Sequence, residues 1–155
     1  PQDTSSAASD VYKRQQILSA TTEIALWELF QSGRTANLTF AIAGVIAVWV
    51  AARFSSVAVE KGVNMFGKVI LTLFAASVMF GGFSLMMSTE AVWIGHANAL
   101  ASLDMNNGDA TLSEGSMRYI AESSESNPLR MAAGGMFYVT GFLIAISQLW
   151  FDTSK

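Results

Sequence analysis

Val69-Ile-Leu-Thr-Leu-Phe-Ala-Ala-Ser-Val-Met-Phe-Gly-Gly-Phe-Ser-Leu-Met-Met-Ser-Thr89 contains no Asp, Glu, Lys, Arg or His, and Lys68 and Glu90 close it on either side. At about 1.5 Å per residue, a helix of this length matches the roughly 30 Å hydrocarbon core of a bilayer. Two further stretches read the same way: Thr35 to Ala52, between Arg34 and Arg53, and Met131 to Phe151, between Arg130 and Asp152. These stretches predict an all-α integral membrane protein with three transmembrane helices, at about residues 35–53, 68–90 and 130–151.

The composition agrees. Of 155 residues, 52% are hydrophobic and 14% charged, against roughly 25% charged in soluble proteins. A deficit of that size fits a surface turned to lipid. The chain has no Cys, which excludes thiolate metal sites, disulfides and Cys nucleophiles. A net charge of −3 with no basic run argues against nucleic acid as a partner.

Ser5-Ser-Ala-Ala-Ser-Asp-Val-Tyr-Lys-Arg-Gln15 resembles the translation of a transposase-type sequencing adapter at every position. Residues 1–15 are therefore expected to be a disordered, non-native segment outside the fold. Residues 16–155 are read as a single helical membrane domain. The first Met is Met65, so the native start is expected upstream of Gln16 and three spans is a lower count. Such an origin points to an assembled environmental sequence, a metagenomic fragment from a microbe.

Ile17 to Gln31 carries apolar residues interrupted by Glu23 and Glu28, too short and too charged for a span. An N-terminal interfacial amphipathic helix is expected there, with Trp27 at headgroup level, or a helix packed on a partner. Ser32-Gly33 is expected to end it. Residues 54–67 form a short connection. The second helix has no Pro to stop it from Met65 to Leu103, so it is expected to run past Glu90, loosened at Gly95. Residues 91–128 then make a small acidic ectodomain. Within it, Asn106-Asn-Gly-Asp109 is turn chemistry and Ser113 to Ala121 is a candidate short helix. Asn127-Pro128 is a helix start, with an Asn cap and Pro at the first helical position.

Orientation follows from the basic residues flanking the spans. Arg53, Lys61 and Lys68 place the 54–67 connection in the cytoplasm, together with the C-terminus, and leave 91–128 extracytoplasmic. The expected location is the cell inner membrane, multi-pass. Trp49 and Trp150 then fall at the inner interface, and Trp27 and Trp93 near the outer one.

Small residues recur at helical spacing: Ala43, Ala47 and Ala51; Gly81 and Gly82; Gly134, Gly141 and Ala145. In lipid, small faces let backbones approach closely, so these are the expected helix-packing residues. His96 is the only histidine. His96 and Asp104, eight residues apart, share one side of a continuous helix and form the metal candidate, although ligation needs further donors. The run from Asp104 to Asp109 fails the calcium-loop pattern, since Asp109 and Gly115 stand where Gly and Glu belong. No catalytic motif is present, and no catalytic residue or cofactor is expected.

The expected function is a structural or accessory subunit of a larger bacterial membrane complex, without chemistry of its own. Its partners are the lipid bilayer and other membrane subunits or copies of itself. One alternative is a homo-oligomeric channel or carrier lined by Ser, Thr and Asn. A second is a metal-binding subunit of a membrane enzyme that uses His96.

Overall fold

The computed structural model describes residues 3–106 and 112–151, with 3–12, 15, 16, 19 and 104–106 as backbone only. Its elements are all helices: α1 Asp3–Glu60, α2 Met65–Asn106, α3 Glu114–Ser123 and α4 Pro128–Trp150. Three contain runs long and apolar enough to cross a membrane, Ala20–Glu60, Met65–Leu103 and Pro128–Trp150. At 58 and 42 residues, α1 and α2 are about 87 and 63 Å long, each well beyond one hydrocarbon core.

The helix boundaries follow local chemistry. At the C-terminus of α1 the Gly62 N–H donates to the Val59 carbonyl at 3.0 Å and the Val63 N–H to the Ala58 carbonyl at 3.0 Å. This pair of bonds defines a Schellman stop, and Gly62 supplies the left-handed φ of 68° that it requires. Asn64 opens α2, its Oδ1 accepting from the Gly67 N–H at 2.9 Å. Ser113 caps α3, accepting from the Ser116 N–H. Asn127 caps α4, accepting from the Leu129 and Arg130 N–H groups at 3.1 and 3.2 Å, with Pro128 in the first turn.

Three expectations need correction. The helix does not end at Ser32-Gly33, and no separate interfacial helix precedes the first span; α1 runs through. A Gly inside a helix costs only about 1 kcal/mol, and interactions on both sides of Gly33 offset that. Thr35 Oγ1 donates across it to the Gln31 carbonyl at 3.0 Å, and the Arg34 guanidinium lies over the Phe30 and Trp93 rings. The 54–67 connection shrinks to residues 61–64, because nothing between Arg53 and Glu60 breaks a helix. The adapter-like segment is helical from Asp3 where disorder is expected; it lacks Pro and Gly after Pro1. Helix α2 continues unbroken through Gly95. The Asn107–Asp109 part of the expected turn and residues 152–155 lie outside the described residues.

The chain divides into two compact units. The first comprises Pro1–Thr35 and Glu90–Ser126, with a core that includes Phe30, Ala97, Leu100 and Leu112. The second comprises Ala36–Thr89 and Asn127–Lys155. Its core is Ala51, Ala75 and Ala145, with Phe142 and Ile146 packed against them. Helices α1 and α2 contribute to both units.

Candidate functional site

In the first unit, aromatic side chains from three helices converge on His96. The Phe30 ring stacks on the imidazole with centroids 4.3 Å apart and planes 8° apart. Trp27 and Tyr119 meet it edge-on at 4.8 and 5.2 Å. Trp93 adds a T-shaped contact with Phe30 at 5.9 Å. Arg34 closes the group, its guanidinium carbon 6.0 Å from the Phe30 centroid and 5.6 Å from that of Trp93. Each such contact is worth about 0.5–1.5 kcal/mol beyond its buried area, so the cluster is a main tie between α1, α2 and α3 in this unit.

A polar chain runs beside the rings. Trp27 Nε1–H donates to Ser116 Oγ at 2.8 Å, and the Ser116 hydroxyl donates to Glu23. The Ser113 hydroxyl and backbone N–H also donate to the Glu23 carboxylate. Glu23 thus sits at the N-terminus of α3, where the helix dipole favours a negative charge. Ser116 is fully buried and bonded on both sides. Tyr119 Oη donates to the Trp93 carbonyl at 3.2 Å. On the outer face of α3, the exposed Arg118 donates from Nε to Glu122 Oε1 at 2.9 Å, and this hydrogen bond holds the guanidinium above its ordinary value.

His96 is 8% exposed, and its Nε2 has no hydrogen-bond partner among the described residues. Its neighbours are rings rather than donors to a metal. Among the described residues, no group of three or more His, Cys, Asp or Glu is placed to hold a metal ion. The side chain of Asp104, the other metal candidate, lies outside the described residues.

In the second unit the seam is built on a tyrosine. Tyr138 of α4 is buried between two glycines. A Cβ on Gly44 of α1 would come 2.7 Å from its hydroxyl, and a Cβ on Gly82 of α2 would overlap its ring. Nearby, a Cβ on Gly141 would meet Val48 Cγ1 at 2.5 Å, and one on Gly134 would meet Met86 Sδ at 2.5 Å. At another edge Trp150 Nε1–H donates to Thr72 Oγ1 at 2.9 Å, with Lys68 Nζ 5.9 Å from its ring centroid.

Of the expected packing residues, the structure brings together Ala51 and Ala145 in the core, places Gly82, Gly134 and Gly141 against neighbouring side chains, and leaves Ala47 half-buried. Ala43 is exposed, and a Cβ on Gly81 would meet nothing within 4 Å. Helical geometry explains the difference. At about 100° per residue, Ala43 lies roughly 80° around the helix from Ala51, whereas Gly44 lies only about 20° away. The buried face of α1 therefore passes through Gly44, Val48, Ala51 and Ser55.

The sequence reading also missed the ring cluster. Its signal was a repeated three-residue spacing: Trp27 and Phe30, Trp93 and His96, Ser116 and Tyr119. Each pair occupies one helix face. Comparison of the chain with protein-family models, curated proteins and solved structures finds no match.

Proposed function

We propose that this protein is an accessory subunit of a larger membrane complex that contributes packing surfaces rather than reacting groups. The observation that carries this reading is the use of its apolar surface. Within the most apolar window, 11% of α1, 11% of α2 and 17% of α4 is buried. Most of that surface is left to lipid or to other helices. A groove of about 340 Å³, lined by Val48, Ala133, Phe137, Gly141 and Ile144 among others, lies open on the α1–α4 side of the second unit. A neighbouring helix fits such a surface, because small residues in it permit close approach.

The hydroxyls of the second unit favour this reading over a channel. Thr72 donates to the Lys68 carbonyl, Ser77 to Phe74, Thr89 to Leu85 and Ser147 to Ile144. The donors of these hydroxyls are satisfied by their own backbone, so no polar pathway is needed to explain them. On this reading the 61–64 connection, which holds Lys61 and lies between Arg53 and Lys68, faces the cytoplasm, and residues 91–128 are extracytoplasmic.

The test is extraction from the native membrane in mild detergent, followed by native electrophoresis and identification of the polypeptides. A large assembly holding other proteins is expected, and Ala133→Trp should weaken it by filling the groove. A ring of this polypeptide alone that conducts ions in vesicles would replace this reading with the channel. A reporter inserted at 61–64 that reads as extracytoplasmic would overturn the orientation.

A further inference from the structure

We infer that His96 is a proton-sensitive pin that ties α3 to α1 and α2 at neutral pH and releases it in mild acid. The inference is independent of the proposed subunit role. It rests on the geometry around the imidazole. His96 is 8% exposed, stacked on Phe30 and edged by Trp27 and Tyr119, with Nε2 unpartnered. A neutral imidazole fits this pocket as a flat, largely apolar ring. Protonation makes both nitrogens donors, and the added N–H at Nε2 finds no acceptor.

The surrounding charges set the sign. From α1, Arg34 already places a cation against the Phe30 and Trp93 rings, so an imidazolium would be a second positive charge in the same aromatic cluster. Glu23, also on α1, is engaged by Ser113 and Ser116 of the α3 cap. From the α3 side, Tyr119 is committed to the Trp93 carbonyl, and Arg118 pairs with Glu122 at the exposed face. On α2 itself, Glu90 lies six residues before His96, off its helix face, and Nε2 accepts no bond from any of these groups. Among the described residues, the new charge is therefore uncompensated by a hydrogen-bonded anion. It is relieved by opening the cluster to water, which parts His96 from Trp27 and Tyr119 and so frees α3.

The experiment uses the full chain in detergent micelles, titrated from about pH 8 to about pH 3.5, which covers the range in which histidine changes charge and the carboxylate range below it. Two signals are followed: tryptophan emission, because Trp27 lies 4.8 Å from His96, and hydrogen-exchange protection factors of residues 114–123. The wild type is expected to lose both emission and α3 protection as the pH falls. His96→Phe, which keeps the ring and cannot take a proton, is expected to hold both constant. An equal acid response in wild type and His96→Phe overturns the inference, as does constant α3 protection in the wild type. His96→Gln serves if the Phe variant does not fold. A wild-type transition confined to the carboxylate range, below about pH 4.5, overturns it even if neither variant folds.

Discussion

Gly81 and Gly82 are neighbours in α2, yet a methyl group added to each meets opposite surroundings. At Gly81 a Cβ finds nothing within 4 Å. Gly81→Ala therefore keeps the packing and gains the helix preference of Ala over Gly, about 1 kcal/mol. At Gly82 the same atom would overlap Cε1, Cδ1 and Cζ of Tyr138. The ring has little room to retreat, since Tyr138 is 8% exposed and its hydroxyl is already pressed toward Gly44. Forcing a methyl into such a core costs about 1–3 kcal/mol. The propensity gain is common to both substitutions and cancels in their comparison, so Gly82→Ala should be about 1–3 kcal/mol less stable than Gly81→Ala. At about 1.4 kcal/mol per tenfold, that is roughly five- to 150-fold in the unfolding equilibrium. Denaturant titration of the purified protein in micelles, followed by circular dichroism, measures both. In a Tyr138→Ala background the Gly82 penalty should vanish, because the ring that causes it is gone. Equal effects at the two glycines, or a Gly82 penalty that survives removal of Tyr138, would refute the assignment of Tyr138 to this notch.

Three further outcomes are expected. Gly62→Ala should destabilise the chain by about 1 kcal/mol, since an L side chain at a φ of 68° is strained; Gly62→Asn should cost less, and the same titration reads both. Glu23→Gln removes the charge that receives the Ser113 and Ser116 donors. Discounted for partial exposure, the loss is about 1 kcal/mol, seen as lower exchange protection in residues 114–123 with α4 unchanged. Asn127→Ala removes the acceptor for the Leu129 and Arg130 N–H groups and should cost about 1 kcal/mol, read as faster exchange confined to the first turn of α4.

The features legible in the sequence are those with a local physical cause. Charges at both ends of an apolar run mark where a helix can leave lipid, and the Asn127-Pro128 and Ser113 caps satisfy backbone donors within three residues of themselves. The register of the second unit was not legible in the same way. An amphipathic helix shows its buried face by contrast with a polar one, but residues 41–52 carry no polar side chain, so Ala43-Ala47-Ala51 and Gly44-Val48-Ala51 read equally well. Only the partner decides, and the partner is Tyr138, more than fifty positions from Gly82 in sequence. Gly33 was misleading for the converse reason. Glycine stops a helix where the chain must turn, and the need to turn is a tertiary fact; here Arg34 reaches the Trp93 ring because the helix continues. His96 combines both difficulties. As a lone histidine in sequence it invites a search for a second ligand, and its actual neighbours arrive from α1 and α3 with nothing local to announce them. What they share is a three-residue spacing on three helices, with aromatic pairs on α1 and α2 and Ser116 with Tyr119 on α3. A histidine enclosed by such pairs is better read first as a ring that must stay neutral, and only then as a donor seeking a metal.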